Sequence, residues 1–448
     1  MSRLTPWQPP VDSGRRAWTT PLEAGRCVAP NVPRRFPRLR FCPAGTSLLR
    51  VTGPIVPEGT EVCIGDLETA ERELLPRETL RQVLETNCVP PEKQQPLFDA
   101  LDAANAVPEL VELAHIMAAD AVRGLVRCYA VEFFQPKPQC LSGFAREAYA
   151  FLYTQLCVLE GRKALRVRGV PERYDADIPE RMTRKQLAKY VKTGDISFDD
   201  YPWDMNFYCC QIFLMDRFYF IPYRWGGAPD AWRSLKTGEV KALWTGGVRV
   251  RRDGQLDGVN GVTDPEAFTT VREENDRTVR ANPVAPEGRI LSEPVTLDRK
   301  EWVKALGDDD FLLALHIPGG EGYTPERVKH SCETALAFWD RYYPEYHYKG
   351  FWSESWLYDP GLKAVLGPDR NIIRVQRQFY CYPTEEGDRM IRLEVLGDEE
   401  ADYRNRTPRN SLERGMFEVW RNGGRFHTTG MFLLREEVSQ IGNDPYMT

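Results

Sequence analysis

The stretch Asp310–Tyr343, DFLLALHIPGGEGYTPERVKHSCETALAFWDRYY, decides how the rest of the chain is read. Phe311 to Ile317 is an almost unbroken apolar run of strand length, and Pro318 ends it. Gly319, Gly320 and Gly322 leave the backbone free to bend and to expose its N–H groups. Thr324 is a good N-cap, and Pro325 follows where a missing donor costs nothing. Val328, Cys332, Ala335, Trp339 and Tyr342 then fall on one face of a helix. A strand, a glycine loop and a helix N-terminus make an anion site, because free N–H groups and the helix dipole point at one spot. Such a site suits the pyrophosphate of a nucleotide-like cofactor. The same glycines also suit an ordinary tight β–α turn, and the local pattern leaves both readings open.

Composition sets the outer limits. The 448 residues suffice for two or three domains, and 42% hydrophobic with 28% charged residues indicates a globular protein with sizeable cores. A net charge of -6 gives no general attraction to nucleic acid. No apolar run reaches the roughly 18 residues of a membrane helix. The start, MSRLTPWQPPVDSGRR, lacks the apolar core of a signal peptide, so a cytoplasmic location is expected. Eleven cysteines without a C-x-x-C pair suggest reduced thiols, and five scattered histidines argue against a metal site.

The organisation follows from changes in spacing. Residues 1–60 form a Pro/Arg-rich arm, as in PNVPRRFPRLRFCPAG. Residues 61–212 look helical, with apolar residues at helical spacing from Leu110 to Phe134 and from Phe144 to Leu165. IPERMTRKQLAKYVKTG is a shorter helix, and Trp203, Phe207, Cys210 and Leu214 share a face in the next one. Residues 213–436 alternate. RFYFIPYRW is strand-like, EVKALWTGGVRVRRDGQ reads as two strands, and LDRKEWVKAL as a short helix. After the opening motif come HYKGFWSESWLY (strand), DPGLKAVLG (short helix), NIIRVQRQFYCYP (strand), SLERGMFEVWRNGG (helix) and TTGMFLLRE (strand). The fold class expected is α+β, a helical N-terminal domain followed by a mixed sheet. Residues 437–448 read as a surface tail.

Two blocks carry a family resemblance. One is LHIPGGEGYTPERVKHSCETALAFW, continued by FWSESWLYDPGLKAVLGPDRNIIRVQRQF and closed by GGRFHTTGMFLLRE; the other is ERMTRKQLAKYVKTGDISFDDYPWDMNFYCCQIFLMDRFYF. Together they resemble bacterial acyltransferases that pair a helical N-acyltransferase N-terminal domain with a GNAT-like C-terminal domain. The resemblance implies an acyl-CoA N-acyltransferase-like sheet and acetyl-CoA or another acyl-CoA as co-substrate, with no metal. It implies that Gly319, Gly320, Gly322, Tyr323 and Thr324 hold the cofactor. The superfamily loop has Gln or Arg, two residues, Gly, one residue, then Gly or Ala. Here Ile317 stands at the first of these positions, Gly320 and Gly322 keep both glycines, and Glu321 adds a negative charge.

Acyl transfer from a thioester to an amine needs a base, an oxyanion donor and an acid for the leaving thiolate. His316, at the end of the central strand, suits a base, and also reads as a buried histidine bonded to backbone. Glu354 in WSESW is the other base candidate, or else a solvated edge carboxylate; alternation puts it on the face opposite Ser353 and Ser355. Tyr358 corresponds to a tyrosine that often serves as general acid in the superfamily; a packing tyrosine is the other reading. The acceptor expected is a small-molecule or peptide amine, with no nucleic-acid or membrane partner, and the sequence leaves oligomeric state open. A second reading, a GNAT-derived binding or scaffold protein without productive CoA binding, rests on Ile317 and Glu321.

Overall fold

The computed structural model describes residues 48–50, 61–63, 72–123, 135–174, 178–398 and 404–447. The chain forms two compact units, Met1–Glu68 and Thr69–Thr448. In the first, Leu48–Arg50 pairs antiparallel with Glu61–Cys63. The rest of the proline- and arginine-rich arm lies outside the described residues.

The second unit opens with six helices: α1 (Arg77–Thr86), α2 (Pro91–Asn105), α3 (Pro108–Arg123), α4 (Gly143–Val167), α5 (Ile178–Thr193) and α6 (Tyr201–Tyr208). The helical reading continued to Phe134, but residues 124–134 lie outside the description. Helix α4 is buried almost all round from Ala148 to Val158, the condition of a helix enclosed by others. Its Thr154 hydroxyl is satisfied by donating to the Phe151 carbonyl at 2.7 Å. Buried Gln211 donates to the Ala121 carbonyl at 2.7 Å, which ties the start of the sheet to the end of α3. Asp200 caps α6 by accepting from the Trp203 N–H.

Six strands follow in one sheet: β1 (Phe213–Met215), β2 (Phe218–Arg224), β3 (Phe311–His316), β4 (Tyr348–Ser355), β5 (Tyr380–Pro383) and β6 (Thr429–Leu434). Their order across the sheet is β5-β6-β4-β3-β2-β1. Every neighbouring pair is antiparallel except β3 with β4. That parallel pair is joined through the glycine loop and α7 (Pro325–Tyr342), as parallel strands require a crossover. The register of β4 against β3 shifts between Tyr348 and Phe351; Gly350 lies in that shift with φ +150°, and a Cβ there would collide with the Leu433 carbonyl, so no other residue fits. Val328, Cys332, Ala335 and Trp339 of α7 are fully buried on one face of this sheet, as their spacing predicts.

Between β2 and β3 the chain builds a five-stranded sheet, in spatial order Arg289–Ile290, Pro283–Ala285, Val240–Leu243, Asp230–Ser234, Trp302–Leu306. LDRKEWVKAL is thus the end of the strand Val295–Asp298, a turn and the strand Trp302–Leu306, not the expected helix. Pairing of Trp302–Leu306 with Asp230–Ser234 overrides its local preference. NIIRVQRQFYCYP also differs from its strand reading. Its first half is a helix, α9 (Asn371–Gln376), preceded by α8 (Leu362–Leu366), and only Tyr380–Pro383 is strand. The β-branched run suggested a strand, but Ile373, Val375 and Gln376 are buried on a helical turn, where tertiary packing wins. Two further helices, α10 (Arg389–Leu396) and α11 (Ser411–Arg421), form a satellite core with Leu362 and Phe426. The C-terminal segment is not merely surface: Val438, Ile441 and Tyr446 are buried, and the Tyr446 hydroxyl accepts from the Leu434 N–H at 2.8 Å.

Candidate active site

The candidate site lies where β3 and β4 part. Their ladder runs from Phe311–Tyr348 to Ala314–Trp352 and stops, although β3 continues to His316 and β4 to Ser355. Beyond that rung β3 pairs only with β2 (Leu315 opposite Phe220, His316 opposite Tyr219), and β4 only with β6 (Ser353 opposite Met431, Glu354 opposite Gly430). Two parallel strands therefore diverge at their C-terminal ends, directly before the glycine loop.

The loop takes the turn its glycines permit. Gly320 has φ +117° and Gly322 φ +89°, conformations strained for any side chain. Thr324 is the N-cap expected, accepting from the Arg327 N–H, with Pro325 next. Three loop carbonyls face Arg217 in the β1–β2 turn. Its Nε donates to Glu321 O at 2.7 Å, and its Nη2 to Pro318 O at 2.7 Å and Gly320 O at 3.1 Å. Among the described hydrogen bonds, none uses the N–H of Gly319, Gly320, Glu321, Gly322 or Tyr323.

His316 and Glu354 lie on one face of the sheet. His316 is half-buried, its ring 4.7 Å from that of Trp203 on α6, and desolvation lowers its pKa to about 4. The imidazole is therefore neutral at pH 7. Glu354 is also half-buried, with its pKa raised first by desolvation and then by the Glu386 carboxylate, against a hydrogen bond from Thr384. Tyr223 of β2 and Trp352 of β4, on the strands either side of β3, stack their rings at 4.0 Å and 5°. The Trp352 indole N–H donates to the Tyr382 hydroxyl at 2.8 Å.

Tyr358 is on the other face. It ends the turn Trp356–Tyr358, which Ser355 caps by accepting from the Leu357 N–H. The ring is fully buried against Phe379, and burial pushes the hydroxyl well above the usual phenol range. Tyr323 and Ser353 are its polar neighbours. Even so, among the described residues the sealed hydroxyls of Tyr323 and Tyr358 have no partner at hydrogen-bond geometry. Gln376 spends both amide hydrogens on the peptides flanking Tyr358, donating to Leu357 O at 2.7 Å and Asp359 O at 3.0 Å.

The structure thus puts His316 and Glu354 on one face of the parting strands and sets Tyr323 beside Tyr358 on the other. Sequence reasoning missed Arg217 and Thr384, because their roles come from contacts between distant segments. Around α9, Arg374 pairs with Glu326 and Arg377 with Asp444. Among the described residues, no three His, Cys, Asp or Glu side chains converge on a possible metal position. No helix there is long and apolar enough to cross a membrane.

Residues 275–433 match the family model of a GNAT-like C-terminal domain. That span contains β3, the glycine loop, α7, β4, β5 and almost all of β6. Among solved structures, the chain is similar to a mutant acyltransferase in complex with octanoyl-CoA, with 20% identity over 82% of this chain and 90% of that one and a TM-score of 0.44. It is also similar to an acyltransferase in complex with decanoyl-CoA and teicoplanin, with 19% identity over 82% and 90% and a TM-score of 0.42. No curated protein matches.

Proposed function

We propose that this protein is an acyl-CoA-dependent N-acyltransferase of the GNAT-like kind, acting on an amine of a small molecule or peptide. One observation carries the reading. A run of amide N–H groups, Gly319 to Tyr323, has no acceptor among the described residues, at the start of an 18-residue helix and the mouth of two parting parallel strands. Free amides beside a helix N-terminus recognise phosphate. The match to a GNAT-like C-terminal domain covers this loop.

The residues present fit acyl-CoA. Gly319, Gly320, Gly322, Tyr323 and Thr324 would hold its pyrophosphate. When bound, acyl-CoA supplies an acyl group activated as a thioester. His316, neutral at pH 7, and Glu354, kept easier to protonate by burial, take the proton of the acceptor ammonium directly or through water. The carboxylates of Glu354 and nearby Glu386 favour a cationic amine on that face. Tyr358 gives its proton to the leaving thiolate, and the unpartnered Tyr323 hydroxyl beside it stabilises the phenolate left behind.

We assign residues 61–212 to a helical domain that shapes the acceptor side, through Trp203, and residues 213–436 to the catalytic domain. The buried, unbridged thiols of Cys157, Cys209, Cys210, Cys332 and Cys381 fit a cytoplasmic setting. The scaffold alternative rests on Ile317 and Glu321. The test is release of free CoA thiol from acetyl-CoA in the presence of a panel of primary amines. Amine-dependent thiol release supports the enzyme. Acetyl-CoA that neither shifts the melting temperature at millimolar concentration nor yields thiol favours the scaffold.

A further inference from the structure

We infer that Arg217 is the positioning residue of the pyrophosphate loop, taking the place of the Gln or Arg that the loop itself lacks. The inference rests on the acyl-CoA reading above and adds to it the group that shapes and polarises the loop.

The geometry is specific. Arg217 sits in the turn between β1 and β2, remote in sequence from the loop. Its guanidinium gathers the carbonyls of Pro318, Gly320 and Glu321 at 2.7, 3.1 and 2.7 Å. In a trans peptide the N–H points opposite to the carbonyl. The amides sharing those peptides, of Gly319, Glu321 and Gly322, are therefore turned away from Arg217. None of the three donates to another described residue. One cation thus orients three peptides so that three donors face outward together.

The charge also acts through the peptides. A cation at the carbonyl end polarises each peptide and strengthens its N–H as a donor, as hydrogen bonds in series do. Desolvation and the neighbouring Arg327 lower the Arg217 pKa, so an anion bound across the loop relieves a charge already penalised. Arg327 is not free for that task, because Asp216 holds it at 2.7 Å through both Nε and Nη2. Arg217 itself is fixed. Its backbone N–H donates to Ser331 Oγ of α7 at 3.3 Å, and its guanidinium lies 5.4 Å from the centre of the Phe218 ring. Gly322 passes so close that a Cβ there would stand 3.8 Å from Arg217 Cδ.

The test uses the full chain and titration calorimetry with two probes: acetyl-CoA, and acetyl-pantetheine, which has the same thioester but no pyrophosphate. Arg217→Met should weaken acetyl-CoA about tenfold or more, the scale of a lost charge-assisted contact, and leave acetyl-pantetheine unchanged. Arg217→Lys, with one point charge for three carbonyls, should fall between. Equal loss for both probes would mean Arg217 only maintains the fold, and unchanged acetyl-CoA affinity would also overturn the inference. If Arg217→Met does not fold, the lysine variant carries the same comparison. Wild-type protein that ignores acetyl-CoA removes the acyl-CoA reading, and this inference with it, whereas wild-type binding with indifferent variants removes this inference alone.

Discussion

His316 and Glu354 stand level with each other on one face of the sheet, each two residues past the Ala314–Trp352 rung where their parallel strands part. The two strands that diverge there carry one titratable group each, with Trp203 beside the first and Thr384 and Glu386 beside the second. Tyr358 and Tyr323 occupy the opposite face. The titratable pair of the parting strands and the buried tyrosine pair are thus separated by the thickness of the sheet.

His316 should make stability depend on pH. Burial lowers its folded pKa to about 4 from an ordinary 6.5, so the unfolded chain binds a proton that the folded chain rejects. Its stabilisation is complete above pH 6.5 and is lost as pH falls toward 4, by up to about 2–3 kcal/mol. Denaturant unfolding of wild type and His316→Gln between pH 4 and 7.5 checks this. The glutamine variant should show a shallower decline in that window, and parallel curves would remove His316 as the cause.

Glu354→Gln should separate stability from activity. A carboxylate with a raised folded pKa costs stability as pH rises above its unfolded value of 4.5. Removing the charge should leave the protein at least as stable at pH 7, by melting temperature, while amine-dependent thiol release falls about 10²-fold if Glu354 is the base. Full activity in a well-folded variant would pass that role to His316.

Tyr358→Phe removes a buried hydroxyl that has no partner at hydrogen-bond geometry among the described residues. Its loss should cost no stability, within about 0.5 kcal/mol, because no hydrogen bond is broken. Thiol release should drop about 10²-fold, with acetyl-CoA affinity retained. A variant that releases thiol at the wild-type rate would show Tyr358 to be a packing tyrosine.

Acetyl-CoA should stabilise the wild type by about 2.7 kcal/mol at a hundredfold excess over Kd. Gly320→Val should abolish most of that gain. At φ +117° a β-branched side chain is strained, although nothing within 4 Å obstructs its Cβ. Glu321→Gln should tighten binding, since the exposed Glu321 carboxylate opposes a pyrophosphate. Paired thermal shifts with and without ligand decide it: equal shifts for wild type and Gly320→Val would place the ligand elsewhere.

The sequence by itself determined the central motif. An apolar run, three glycines, a Thr-Pro cap and a five-residue helical stripe are local signals, and β3, the loop and α7 follow them residue by residue. It also determined the helices α4, α5 and α11, whose periodicities are long enough to outvote single residues, whereas the stripe read through Cys210 and Leu214 breaks when α6 ends at Tyr208 and Leu214 enters β1. Only the tertiary structure decided the rest, because the deciding contacts join distant segments. Trp302–Leu306 became strand because Asp230–Ser234 offered it a ladder, and Asn371–Gln376 became helix because burying Ile373 and Val375 on a turn outweighed their β-branched preference. Alternation predicted that Glu354 and Ser353 face opposite ways. Which face holds Trp203 and His316, and which holds α7 and Tyr358, depends on how helices and sheet pack. Arg217 shows the limit most plainly. The missing cation of the loop is supplied more than a hundred positions earlier in the chain, and no local pattern marks a side chain whose partners are three backbone carbonyls of a distant turn.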